Sequence, residues 1–201
     1  MSLGPIALHF RSDMISRMLL FSLLGFILFL AAFYFSLLLI AAVNSRTATN
    51  NPWLALVHAH LGPLARLPAW LKLLAPFLMT FLLWLAMASL FGTLGLAVAW
   101  KSSRQLVYQA ALIGLSACLL WQYVVGAVLV LYILSSYVYL GAAPFWNFIN
   151  GTAHGLLRPL VRLPLRVGKI DLAPFLALGL LALIIIFALR GLASLYARLG
   201  V

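Results

Sequence analysis

Two stretches of this chain, Met18 to Val43 and Leu73 to Trp100, run without a single Asp, Glu, Lys or Arg. Uncharged apolar runs of about 18 residues or more read as membrane helices, because about 20 helical residues cross a hydrocarbon layer about 30 Å thick. Backbone amides in lipid must find partners inside the segment, so only helices and closed barrels can span it. The strict alternation of a barrel strand is absent from these runs. Two further runs are bounded by charge, one behind Arg104 and one ahead of Arg190. The pattern predicts an all-α membrane protein with four transmembrane helices at 18–43, 73–100, 105–134 and 172–190.

Composition supports that class. Hydrophobic residues make up 66% of the chain and charged residues 7%, against about 25% charged in an ordinary soluble domain. A net charge of +11 is compatible with nucleic-acid binding, but the basic residues flank apolar runs. Anionic lipid headgroups are the expected counter-charge, and nucleic acid is not an expected partner. Cys118 is the single cysteine, so no internal disulfide forms and the redox compartment is unreadable. The first run is longer than a signal-peptide core and no small-residue cleavage site follows it, so it reads as a retained span.

Between the spans lie two bent connectors, near 52–68 and 145–164, neither expected to cross. They resemble each other. Asn51, His58, Pro63, Arg66 and Pro68 recur as Asn147, His154, Pro159, Arg162 and Pro164 at a constant offset of 96. Ala75-Pro76-Phe77 recurs as Ala173-Pro174-Phe175 at an offset of 98. Apolar matches are cheap in such a chain, whereas rare residues matching in order are not. The chain therefore divides into a tail at 1–17, a first repeat at 18–100, a basic turn at 101–104 and a second repeat at 105–201. Each repeat crosses twice, which makes the two parallel and relates them by a pseudo-two-fold axis along the membrane normal. Pro76 is expected in the first turn of the second span, where proline is tolerated. Both connectors would then share one face, and the dense cations between Arg158 and Lys169 lean that face toward the cytoplasm.

The second connector carries a helical stripe. Asn147, Asn150, His154 and Arg158 follow one another at steps of three, four and four, with Phe145, Phe148, Ile149, Thr152 and Leu156 on the other side. This reads as an amphipathic helix lying at the interface or dipping into the bilayer as a re-entrant element. Gly151 and Gly155 form a GxxxG that permits close helix approach.

Arg158-Pro159-Leu160, Arg162, Pro164 and the run Val167-Gly168-Lys169-Ile170-Asp171-Leu172-Ala173-Pro174 resemble the signature of the YggT family. The likeness covers roughly thirty residues of the second half. The first half resembles the family as a degenerate copy, with Pro63, Arg66, Pro68 and Pro76 but Leu73 where the aspartate would fall. In the better copy Lys169 replaces the usual second glycine and Ala173 the usual serine. The resemblance implies a multi-pass protein of the bacterial inner membrane. Plastid members are linked to assembly of the cytochrome b/f complex and to organelle organisation, bacterial ones to cell division or osmotic phenotypes. No catalytic activity comes with the resemblance.

Asp171 is expected to cap the fourth span, with Pro174 in its first turn; an ion pair with Arg158, Arg162 or Arg166 is the competing role. Arg66, Arg158, Arg162, Arg166 and Lys169 read first as a lipid-facing cluster and second as a docking site for an acidic partner. Pro159, Pro164, Gly168, Pro174, Asn147 and His154 are the structural residues of the motif. His58 and His154 would need to converge, with second-shell partners, to hold haem or metal; interfacial hydrogen bonding is the expected role. Gln122 and the Ser135-Ser136 pair are expected to form interhelical hydrogen bonds. No nucleophile–base–acid set, phosphate loop or metal-spaced Cys/His cluster occurs in the sequence, so neither an enzyme nor a cofactor is expected.

Two functions remain. One is a non-enzymatic assembly or scaffold factor that binds other membrane proteins or lipid headgroups through the basic connectors. The other is an ion- or osmolyte-handling protein, which the bent connectors favour and the lack of intramembrane acids disfavours. The oligomeric state is left open.

Overall fold

The computed structural model describes residues 2–3, 6–7, 15–45, 51–93, 103–138, 141, 143–160, 166–167 and 170–198. Among the described residues there are seven α-helices: α1 Ile15–Val43, α2 Pro52–Leu61, α3 Ala69–Thr93, α4 Ser103–Cys118, α5 Trp121–Tyr137, α6 Pro144–Leu157 and α7 Ala173–Arg198. A 3-10 turn, Gly62–Arg66, follows α2. Two minimal antiparallel ladders complete the description, β1 Ser2–Leu3 with β2 Ile6–Ala7, and β3 Arg166–Val167 with β4 Ile170–Asp171.

Among the described residues, four helical stretches are long and apolar enough to cross a membrane: Phe21–Val43, Ala69–Met87, Arg104–Tyr137 and Ala173–Ala197. This is the expected all-α, four-span architecture. Side chains such as Phe29, Leu82, Ile184 and Phe187 stand exposed along them, as lipid-facing positions do. The bounds differ from the expected ones in three informative places. First, α3 opens at Ala69, so Pro76 lies inside the helix rather than in its first turn. Pro68 supplies the opening, its carbonyl accepting the amides of Leu71 and Lys72 at 3.0 and 3.1 Å. Further along, the Thr80 hydroxyl donates to the carbonyl of Pro76 at 2.6 Å; such local side-chain bonds help a membrane helix carry proline.

Second, the third span is two helices. A turn at Leu119 and Leu120 separates α4 from α5, with the Leu119 amide bonded to Ser116 O at 3.1 Å, an i to i−3 closure. Neither proline nor glycine marks the place. The Ser116 hydroxyl donates to Ile113 O at 2.7 Å, a back-bond of the kind that bends helices. Third, α7 runs on to Arg198, so the exposed Arg190 lies within the helix rather than at its end.

The chain forms two compact units. One comprises Met1–Phe35, Leu74–Leu119 and Leu189–Val201. Within it Gly114 meets α3 closely: a Cβ there would lie 2.8 Å from Phe77 Cδ2 and 3.1 Å from Phe77 O. The Phe77 ring stacks on Phe81 at 5.8 Å between centroids. The other unit comprises Ser36–Leu73 and Leu120–Ala188 and contains both connectors. Its core is Leu38, Leu39, Leu54, Val57, Leu61, Leu129, Ile149, Ala153 and Leu157, all buried.

In this second unit α2 and α6 bury matching stripes. Leu54, Val57 and Leu61 point inward from α2, and Ile149, Thr152, Ala153 and Leu157 from α6. The two helices end at Leu61 and Leu157, the same offset of 96 that relates the connectors in sequence. The apolar face of α6 is thus spent on protein: α6 packs on α5 and on α2. Gly155 makes the approach to α1 possible, since a Cβ there would meet Val43 Cγ1 at 2.7 Å and Val43 O at 3.2 Å. Its GxxxG partner Gly151 faces open space.

The two glycines therefore have opposite expected responses. Gly155→Ala should lower thermal stability in detergent by about 1–3 kcal/mol through overpacking. Gly151→Ala should leave it unchanged or raise it by up to about 1 kcal/mol, the helix-propensity gain of alanine. Melting curves of the two variants check the contrast, and a neutral Gly155→Ala would contradict the close packing.

Candidate functional site

The candidate site is the connector layer of the second unit, built from the end of α1, α2, the 3-10 turn, α5, α6 and the start of α7. Each helix start within it is set by a local device. Asn51 caps α2: its Oδ1 accepts the Trp53 amide at 2.9 Å, and Pro52 occupies the first helical position. The same side chain reaches the second connector, its Nδ2 donating to Pro144 O at 3.0 Å. Trp53 packs edge-on to Phe145 at 5.6 Å, and Phe145 edge-on to Trp146 at 5.1 Å. One amide and one aromatic chain thereby join the starts of α2 and α6.

A second polar tie lies deeper. Asn44, just past the end of α1, is 3% exposed, and Thr152 of α6 is 2% exposed. Asn44 Nδ2 donates to Ile40 O at 3.0 Å and to Thr152 Oγ1 at 2.9 Å. The Thr152 hydroxyl in turn donates to Phe148 O at 2.8 Å. Asn44 directly follows an uncharged run and Thr152 sits on the apolar stripe of α6, so sequence pattern does not announce their pairing. The available signal was the lone hydroxyl on that apolar stripe, since a buried polar group needs a partner.

The outer face of α6 is polar as expected. Asn147, His154 and Arg158 are exposed, and Asn150 is half-buried. The Ser135 hydroxyl of α5 donates to Asn150 Oδ1 at 2.8 Å, an interhelical bond of the expected kind. His154 sits edge-on to Tyr132 at 5.4 Å. Gln122 departs from expectation: it stands half-buried at the second position of α5 with no hydrogen-bond partner among the described residues. Tyr137, at the end of α5, lies near Phe175 of α7 at 6.4 Å.

Among the basic residues, Arg66 and Arg158 are exposed, and Pro159 beside Arg158 is exposed too. Lys72 was expected to mark a span boundary; it lies within α3 and is 3% exposed. Arg162, Pro164, Gly168 and Lys169 lie outside the described residues. Arg166 belongs to β3, whose register sets it opposite Asp171 of β4. That ladder was not expected, although Gly168-Lys169 between two β-branched residues is the two-residue, glycine-first pattern of a hairpin.

Asp171 Oδ1 accepts the amide of Ala173, the first residue of α7, at 3.0 Å. The carbonyl of Leu172 accepts the first helical bond, from Leu176 at 3.0 Å, so Asp171 stands one position ahead of the cap and closes an Asx turn into it. Pro174 is buried in the first turn. Among the described residues no group of three His, Cys, Asp or Glu side chains is placed to hold a metal ion.

Removing the deep tie should be costly. Thr152→Val keeps the shape and strands an Asn44 amide proton, so melting in detergent should show a loss of about 1–3 kcal/mol, with Thr152→Ser close to wild type. At the other end, Asp171→Ala should destabilise the start of α7 by about 1 kcal/mol, and Asp171→Asn, which also accepts the Ala173 amide, should retain most of it. An asparagine variant as damaged as the alanine one would favour an ion pair over the turn.

A family model described as CCB3/YggT matches residues 110–192, a stretch that takes in most of α4 and all of α5, α6 and the β3–β4 ladder, and most of α7. No curated protein and no solved structure matches the chain.

Proposed function

We propose, from the match of residues 110–192 to the CCB3/YggT family model, that the chain is a member of that family and a non-enzymatic assembly or scaffold factor of the bacterial inner membrane. Its recognising surface is the connector layer, which docks other membrane proteins and meets anionic headgroups. The observation that carries this reading is the division of labour on the connectors. The apolar stripe of α6 is buried within the unit while Asn147, His154 and Arg158 are turned outward; on the first connector Arg66 is exposed alongside Trp53, Leu56 and Leu64. A face packed inward and charged outward is suited to recognition rather than to insertion. Single exposed cations add little stability, so their use lies in what they meet.

Ion handling is the competing reading, and the two separate in one comparison. Cross-linking and affinity capture from native membranes should return a defined membrane-protein complex, and Arg66→Gln with Arg158→Gln should weaken its recovery several-fold without changing the melting temperature. The purified protein in liposomes should pass no ions. Reproducible flux, together with empty captures, would overturn the scaffold reading.

A further inference from the structure

The outward stripe of α6 is more specific than a spread of positive charge. Three groups stand on one side of the helix at successive turns: Asn150, His154 and Arg158. Each presents hydrogen-bond donors. The Asn150 amide meets the Ser135 hydroxyl at 2.8 Å, and that hydroxyl also lies 2.9 Å from Tyr132 O. With either end of the amide toward Ser135, the side chain is anchored to α5 and keeps at least one N–H to offer. His154 is exposed, its ring plane set against Tyr132 at 5.4 Å. Arg158 continues the helix as its C-cap in right-handed geometry, φ −48 and ψ −42, and is exposed. Two of the three donors are thus held in place by α5 before any ligand arrives. A cation in the last turn of a helix also offsets the negative end of its dipole. That accounts for Arg158, but not for an anchored amide and an imidazole on the turns before it.

We propose that Asn150, His154 and Arg158 form a binding site for the phosphodiester of an anionic phospholipid. Charge selects the ligand. The chain has two acids in all, Asp13 and Asp171, and Asp171 is engaged with the Ala173 amide. No carboxylate competes for the stripe among the described residues. Position selects a lipid over a soluble anion. The end of α5 at Tyr137 and the start of α6 at Pro144 are separated by a short link, so α6 is tethered where a span leaves the membrane. The aromatic rings of Tyr132, Tyr137 and Trp146 lie on the same two helices, and such rings favour headgroup depth. This assignment deepens the reading of the connectors as the recognising face. It is tested by lipid retention rather than by partner capture, so either can fail while the other succeeds.

The experiment is native mass spectrometry of the full chain released from nanodiscs of equal parts phosphatidylglycerol and phosphatidylcholine. Wild type should retain one phosphatidylglycerol in clear preference to phosphatidylcholine. Arg158→Gln should cut that preference about five-fold, the contribution of one basic residue near a membrane surface. Asn150→Asp, which sets a carboxylate in the middle of the stripe, should abolish it. Arg190→Gln, at an exposed cation of α7 outside the connector layer, should leave it intact. Matching circular dichroism and elution volume would show that the variants are folded. Equal retention of both lipids by wild type would overturn the site, as would a loss with Arg190→Gln equal to that with Arg158→Gln. Displacement of the lipid by an equal concentration of glycerol 3-phosphate would overturn the lipid assignment in favour of a free phosphate. An acidic peptide that binds through the same three residues in a protein with no lipid preference would overturn it in favour of a protein ligand.

Discussion

The hydrogen bond from Asn44 to Thr152 joins the end of the first span to the second connector helix, across 108 residues of sequence. It matters because of where it lies. A buried amide with no partner costs about 1–3 kcal/mol, and a segment leaving the membrane has little water to offer. Pairing the two side chains removes that cost only when α6 sits against α1. Gly155 admits the same contact sterically, since no side chain larger than hydrogen fits beside Val43. Polar pairing and close approach therefore specify one placement of α6. The Asn51 bond to Pro144 O fixes its other end.

From that placement the rest of the connector layer follows. With Ile149, Ala153 and Leu157 turned inward, the helix period turns Asn147, Asn150, His154 and Arg158 outward. The Ser135 and Tyr132 contacts then lock the outward groups against α5. The face that the connector layer shows to its surroundings is thus a consequence of how its apolar face is consumed. The scaffold role proposed for this face calls for no catalytic group. It needs a fixed array of donors at the level of the headgroups.

Much of this was legible in the sequence because the signals are long and redundant. Uncharged runs gave the four spans, and the three-four-four spacing gave the outer face of α6. Proline and aspartate placed the start of the fourth span at 172, one residue before α7 opens at Ala173. What escaped were features decided by a single atom or by tertiary contact. Pro76 reads locally as a helix start, yet α3 opens at Ala69 because the Pro68 carbonyl begins the helical bonding first. The break at Leu119 and Leu120 has no glycine or proline to announce it. Asn44 looked like loop because a polar residue after an apolar run usually is; its burial depends on Thr152, far along the chain. Lys72 looked like a boundary charge for the same reason and is buried instead.

The central claim is that both connectors lie on one face of the membrane, as two crossings between them require. It is tested most directly by labelling whole cells and inverted vesicles with a membrane-impermeant maleimide, using Arg66→Cys and Arg158→Cys in a Cys118→Ser background. Both positions are exposed, so both should react from the same side and neither from the other. Labelling of the two from opposite sides would require an odd number of crossings between the connectors and would contradict the account.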